Sequence, residues 1–243
     1  FKKEGCITYG IEPTGASNDA KKKGHQIINK YFDLKTAQQI KKKIKNIDII
    51  TFTNVFAHIE DFKNLLASLK LIMSQNTLII IENHYLGEVI RKNQFDTFYH
   101  EHPRTYSLQS FISISKLLET NLIDYKFVKR YNGNIRVYYK NISQNYKIKN
   151  NIKKSLTKER IIINTIKNFQ KKVDSWKNNK KLLINKLVKQ KGPIPAKAFP
   201  GRASILINLL KLDAKHISNI YEKNFSLKVN KYAPGTDIKI LKE

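Results

Sequence analysis

Ile47-Asp48-Ile49-Ile50-Thr51-Phe52-Thr53, running directly into Asn54-Val55-Phe56-Ala57-His58-Ile59, is the stretch on which the fold reading turns. A near-continuous apolar run of this length predicts a central parallel strand covered on both faces. Working outward, strand-like and helix-like segments alternate over the first two-thirds of the chain, the pattern of an α/β fold with a parallel sheet. Before the run come a short β-rich segment at residues 6–11, a helix over 16–23 stopped by Gly24, a strand over 25–32 and an amphipathic helix over 34–45. After it come a helix over 61–73 with Phe62, Leu65, Leu66, Leu69 and Ile72 on one face, a buried strand over 77–81 and a helix over 109–119. Strands at 125–130 and 135–139, joined through Asn132-Gly133-Asn134, read as an antiparallel hairpin closing the sheet. From about Asn145 the texture changes to a lysine-rich helical region over 158–189, long or broken, whose apolar stripe is expected to pack on a neighbouring unit. A smaller unit follows, with a loop and helix over 196–210 and a strand near 217–221.

Composition narrows the classes. Hydrophobic residues make up 41% of 243, enough to bury a core, and the single cysteine, Cys6, leaves no disulfide framework or cysteine-rich zinc site in these residues. That usage fits a reducing cytoplasm, and no apolar run of about 18 residues predicts a membrane span. The net charge of +27 invites a nucleic-acid reading. Against it, the excess is nearly all lysine, spread along the chain with abundant Asn and Ile, as an AT-rich coding sequence produces. Only six arginines occur, and arginine is the usual reader of bases and clamp of phosphates.

Four places carry candidate chemistry. Glu12, beside Pro13 at the end of the first strand, can accept hydrogen bonds from both hydroxyls of a ribose, although acidic strand ends are common. Tyr31-Phe32-Asp33 can sandwich and bond an adenine, or can be a core aromatic followed by a helix cap. Asn54 to His58 lies where open α/β sheets place their ligand crevice, and a His there is equally a surface residue or cap. Tyr99-His100-Glu101-His102 is the sharpest cluster: donors, acceptors and imidazoles that ordinarily titrate near neutrality, within four positions. The spacing is not a zinc pattern, and no metal site is assigned.

Taken together these residues resemble the sugar C-methyltransferases that alkylate a ketosugar nucleotide with S-adenosylmethionine, the 3-C-methyltransferase type. Tyr9-Gly10-Ile11-Glu12-Pro13 is similar to the family's second strand with its ribose-binding acid. Asn54-Val55-Phe56-Ala57-His58-Ile59 resembles its post-strand motif, and Phe95-Asp96-Thr97-Phe98-Tyr99-His100-Glu101-His102 its Phe-Asp-x-x-Tyr-x-Glu-His segment. Glu82-Asn83-His84-Tyr85-Leu86-Gly87 resembles Glu-Asp-Pro-Tyr-Leu-Gly, with Asn-His in place of Asp-Pro. Ala198-Phe199-Pro200-Gly201-Arg202-Ala203-Ser204 resembles a Gly-Ala-Pro-x-Lys/Arg-Ala-Thr loop, with Asn208 and Lys231-Tyr232-Ala233-Pro234-Gly235-Thr236 at similar distances. Alanines at 196 and 198 replace two glycines of the family, which would stiffen that loop.

The resemblance implies a Rossmann-like methyltransferase sheet, incomplete at its N-terminal end, over residues 1–147, and a smaller C-terminal α/β domain for the substrate nucleotide over 148–243. It places the chain in the middle of the family's length, without the first glycine-rich strand or the zinc-binding module, zinc being expected only there. It implies S-adenosylmethionine as cofactor, held by Glu12, Pro13, Phe32, Asp33 and Asn54, and a nucleotide-sugar partner held by Tyr85, Arg202, Asn208 and Lys231. The chemistry implied is methylation of carbon beside a ketone, with His102 as base, Glu101 orienting it or the sugar, and Tyr99 and His58 positioning substrate or stabilising the oxyanion. Two alternatives stay open: methylation of another small carbonyl compound, and a non-catalytic basic binding protein on the same scaffold.

Overall fold

The structure, a computed structural model, describes residues 1–142 and 146–243, so the expected change of texture at Asn145 lies outside the described residues. The chain forms two compact units: Phe1–His84 with Tyr106–Leu156, and Tyr85–Thr105 with Thr157–Glu243. The expected division at 147/148 is a single linear cut. The compact units are instead discontinuous, because the segment carrying the Tyr-x-Glu-His cluster is grouped with the later part of the chain.

The first unit is the α/β part. Strand β1 (Tyr9–Ile11) and strand β2 (Gln26–Ile28) pair in parallel, flanked by α1 (Ala16–Lys22) and α2 (Leu34–Lys43). The expected strand runs at 6–11 and 25–32 shrink to three residues each. The helix α1 ends as expected at Gly24, which takes φ 79 and donates its N–H to the Lys21 carbonyl. Helix α2 starts on the Asp33 side chain, which accepts from Thr36 N at 2.7 Å.

A four-stranded sheet follows, in the order β3 (Ile49–Thr53), β4 (Leu78–His84), β6 (Asn134–Lys140), β5 (Asn121–Val128). Strands β3 and β4 run parallel, and β6 enters antiparallel between β4 and β5. This corrects the reading of residues 47–53 as the central, doubly covered strand. Among the described residues β3 pairs only with β4, and Ile49, Thr51 and Thr53 on one of its faces are exposed. Strands β4 and β6 are paired on both sides, and in β4 Ile79 and Ile81 are 0% exposed. The two threonines of β3 lie on its exposed face, whereas in β4 Leu78 and Ile80 are partly buried on one face and Ile79 and Ile81 fully buried on the other.

Helices α3 (Phe62–Ile72) and α5 (Leu108–Leu117) also belong to this unit. Leu65 and Leu69 of α3, with Leu108, Phe111 and Ile112 of α5, join the core. The expected hairpin is present with a longer first strand; its turn holds Tyr131, Asn132 and Gly133 at positive φ.

The second unit contains α4 (Leu86–Arg91), α7 (Phe169–Lys191), α8 (Ala203–Leu210) and a parallel sheet of β7 (Ala196–Lys197), β8 (Asn219–Glu222) and β9 (Lys239–Lys242). The lysine-rich region is broken: α6 (Asn150–Asn164), spanning the boundary between units, gives way through a short 3-10 turn to α7. Phe199, Ile207, Leu210, Leu212, Ile220, Ala233, Ile238 and Ile240 make a core, against which Trp176 and Ile184 of α7 pack. The apolar stripe of this basic helix is therefore used in packing.

Ala198 supplies a local test. It takes φ 65, the left-handed region that a Cβ disfavours by about 1 kcal/mol or more, at a position where the resembled family has glycine. Ala198→Gly is expected to stabilise the protein by about 1 kcal/mol, raising the melting temperature by roughly 2–4 °C. Calorimetric unfolding of both proteins checks it; an unchanged or lower melting temperature would mean the loop relaxes the strain.

Candidate active site

In the first unit, acceptors collect at the carboxyl ends of parallel strands, where open α/β sheets receive ligands. Glu12 follows β1; its Oε1 accepts from Thr14 N at 2.9 Å, and bonds from Thr14 hold its carboxyl below the usual range. Its backbone is anchored too, the N–H to the Ile28 carbonyl and the carbonyl to Asn29 Nδ2 at 2.7 Å. Pro13 beside it is exposed. After β2, Phe32 lies 6.2 Å from Phe52, which lies 5.4 Å from Phe56, so its ring joins the aromatic core. Asp33 caps α2, and the Thr36 bonds lower its pKa. Both halves of the core-and-cap reading are thus present here, and the cap uses Oδ1 of Asp33.

After β3, Asn54 takes φ 55 and donates its N–H to the Glu82 carbonyl at 2.8 Å. The next residues form one short turn of helix, Phe56–His58, anchored by buried Phe56 and Ala57. His58, at its end, is exposed. The ionised Glu12, the carboxylate of Asp33 and the amide of Asn54 are the donor and acceptor types that a nucleoside with an amino-acid tail requires, so this chain's residues fit S-adenosylmethionine.

The second unit holds the Tyr99 cluster. Tyr99 donates its phenolic hydrogen to Glu101 Oε2 at 3.0 Å, and its ring lies 4.5 Å from that of His102. Burial first, and then Glu101, pushes the Tyr99 phenol up, opposed by the charge of Arg202. Tyr99 therefore remains a protonated donor at neutral pH. His102 Nδ1 is 3.1 Å from the Thr97 carbonyl. A carbonyl only accepts, so Nδ1 carries the hydrogen, and in the neutral ring Nε2 is the basic nitrogen. Glu101 is exposed.

Two aromatic contacts hold this loop to α7: Phe95 on Trp176 at 5.0 Å, and Phe98 on Phe169 at 6.0 Å. Arg202, at the start of α8, ties on as well, with Asp96 Oδ2 at 3.2 Å and Thr97 Oγ1 at 3.3 Å. Thr97, 1% exposed, thus bonds both His102 and Arg202, a linking role its position inside the Phe-Asp-Thr-Phe string did not disclose. Tyr99, Glu101, His102 and Arg202 are brought together.

The other predicted substrate residues serve elsewhere in what is described. Tyr85 is buried and its ring would meet a Cβ on Gly87 at 2.5 Å, which accounts for the glycine. Asn208 gives its amide hydrogens to the carbonyls of Ser204 and Pro234, fastening α8 to the loop before β9. Lys231 is exposed. Among the described residues no group of three or more His, Cys, Asp or Glu could hold a metal ion, and no helix is long and apolar enough to cross a membrane.

Comparison with known proteins gives two family matches in succession. Residues 1–119 match a methyltransferase domain, and residues 130–243 match a C-methyltransferase C-terminal domain. The C-methyltransferase NovU of Streptomyces niveus is 24% identical over 164 residues, covering 66% of this chain and 38% of that protein. This chain thus matches well under half the length of that relative. Among solved structures, a SAM dependent methyltransferase from Archaeoglobus fulgidus is similar at 13% identity and a TM-score of 0.45, over 57% of this chain and 78% of its own. The magnesium protoporphyrin IX methyltransferase of Synechocystis PCC 6803, solved with bound SAH, is similar at 12% identity and a TM-score of 0.40, over 56% of this chain and 64% of its own.

Proposed function

We propose, from the premise that this chain belongs to the C-methyltransferase family, that it moves a methyl group from S-adenosylmethionine to the carbon beside the ketone of a nucleotide-linked keto-deoxysugar. The observation that carries the reading is the His102 ring, turned by the Thr97 carbonyl so that Nε2 is its base, beside the Tyr99–Glu101 pair. Such a base suits an acceptor whose C–H is acidified by an adjacent carbonyl.

His102 Nε2 takes the proton from that carbon. The electron pair spreads onto the ketone oxygen, and a hydroxyl donor beside it stabilises the enolate. Tyr99, kept protonated, is the donor in this cluster, and Glu101 accepts its hydrogen bond and orients the hydroxyl. Glu12 accepts from the ribose hydroxyls, Asp33 and Phe32 take the adenine end, Pro13 shapes the turn beside it and Asn54 the amino-acid end. Arg202 supplies positive charge for the diphosphate of the sugar nucleotide, with Lys231 and, through loop geometry, Asn208. The resemblance also assigns Tyr85, in the second unit, and His58, in the first, to the sugar. When bound, S-adenosylmethionine contributes a methyl on a positively charged sulfur, already activated for transfer to the nucleophilic carbon. The exposed, single Cys6 is in keeping with a cytoplasmic setting.

The test is methyl transfer in a panel of nucleotide-linked 4-keto-deoxysugars, followed by mass, with deuterium washout from the acceptor carbon read in parallel. Methylation at oxygen or nitrogen, or no acceptor in the panel, would refute the reading. Within it, Tyr99→Phe is expected to lower turnover roughly 10²–10³-fold, the usual loss for one oxyanion donor, with sugar-nucleotide affinity within a few-fold. A loss confined to affinity would make Tyr99 a binding residue instead.

A further inference from the structure

At the carboxyl end of β4 the fold buries a charge immediately after an all-apolar run. Glu82 is 1% exposed and follows Leu78-Ile79-Ile80-Ile81. A carboxylate in such a place is costly unless paired and hydrogen-bonded. Arg136, its cross-strand partner on β6, donates to Oε2 from Nε at 2.8 Å and from Nη2 at 2.6 Å. Arg130 comes within 4.0 Å of Oε1. The same Oε1 accepts from Asn134 Nδ2 at 3.1 Å, and Nδ2 also donates to Asn54 Oδ1 at 2.9 Å.

The order of these bonds is fixed by elementary chemistry. A carboxylate only accepts, so Asn134 must turn its NH2 toward Glu82; the reverse would set oxygen against oxygen. Asn134 is 0% exposed, and this orientation leaves its Oδ1 buried with no hydrogen-bond partner. The carboxylate outweighs that loss. The second hydrogen of the same NH2 then requires the oxygen of Asn54, so the Asn54 NH2 turns the opposite way. Glu82 thus holds Asn54 twice, through its carbonyl on the Asn54 N–H and, by way of Asn134, through the side chain.

We infer that Glu82 and Asn134 are positioning residues that aim the Asn54 carboxamide, as a donor, at an acceptor oxygen of the ligand bound beyond the ends of β3 and β4. The inference deepens the function proposed above and rests on it for the ligand. The oxygen belongs either to the carboxylate of the methyl donor or to a carbonyl or hydroxyl of the sugar. Both share the chemistry that an NH2 reads.

Two measurements test it, using Glu82→Gln, Asn134→Ala, Asn54→Ala and the Asn54→Ala/Asn134→Ala double variant of the full chain. Glutamine is isosteric and can present its own NH2, and Arg136, 40% exposed in its side chain, can hydrate when its partner is gone. The first measurement is NMR of asparagine-selectively labelled protein. One side-chain NH2 should be shielded from solvent exchange in the wild type. It should lose about tenfold of its protection in Glu82→Gln and in half-buried Asn54→Ala, and vanish in Asn134→Ala, at melting temperatures that confirm folding. Protection unchanged in folded Glu82→Gln or Asn54→Ala overturns the relay, whatever the protein binds.

The second measurement is calorimetric titration with S-adenosylhomocysteine and, separately, with a nucleotide-linked 4-keto sugar. Asn54→Ala and Asn134→Ala should each weaken the same ligand about tenfold, and the double variant no more than either alone. The ligand affected identifies the source of the oxygen. Additive losses, or losses in both ligands that follow the melting temperature, reduce Glu82 and Asn134 to structural residues and overturn the inference. A wild type that binds neither ligand refutes the proposed function, while the NMR comparison still decides the relay.

Discussion

Replacing His102 by Gln is expected to slow exchange of the substrate's α-hydrogen with solvent deuterium by about 10²–10⁴-fold, the contribution of a positioned general base. Methyl transfer should fall in step, and affinity for S-adenosylhomocysteine should stay within a few-fold. The substitution is informative because of the Nδ1 contact. The Thr97 carbonyl accepts from His102, and a glutamine NH2 can replace that donor and keep the loop in place. What glutamine lacks is a nitrogen able to take a proton near neutral pH. Exchange measured without the methyl donor isolates the proton step from the transfer. Undiminished exchange in the variant would remove His102 from the role of base and return the question to His58.

Glu12→Ala is expected to weaken binding of the cofactor by roughly 10- to 100-fold, the loss of a charge-assisted hydrogen-bonded group, while sugar-nucleotide affinity changes by less than about threefold. Its carboxylate sits at the end of β1 with its backbone fixed on both sides, so the substitution removes an acceptor without loosening the strand. The pH dependence has a definite sign. Bonds from Thr14 lower its pKa, so the charged form persists as pH falls through the ordinary glutamate range, and affinity should drop only below it. Titration calorimetry with each ligand, repeated across pH, decides the matter. Equal losses for both ligands would count against a ribose-binding role.

Some features were legible in the sequence because they depend on neighbours along the chain. The Gly24 stop and the Asn-Gly turn between β5 and β6 follow from left-handed backbone positions, and the helices α3 and α5 follow from apolar spacing. The Asp33 cap was one of two readings, and a Thr36 N–H three residues away realises it. The Tyr-x-Glu-His cluster was legible as well, since its contacts span only two to five residues.

Tertiary structure decided what depends on strand order and distant partners. Residues 47–53 and 77–81 both read as buried strands, and periodicity cannot say which of two apolar runs pairs on both sides; the entry of β6 beside β4 gave that place to β4. A glutamate closing an apolar strand signals a buried charge, yet its partners Asn134 and Arg136 lie 52 and 54 residues away. No local pattern joins them. The placing of Arg202 on Asp96 and Thr97, and the grouping of residues 85–105 with the later part of the chain, are likewise products of long-range packing. Local rules govern which residues cap, turn or line a helix face because those energies are settled within a few residues. Pairing order and buried charge networks are settled by which distant surfaces exclude water together, and only the folded chain specifies that.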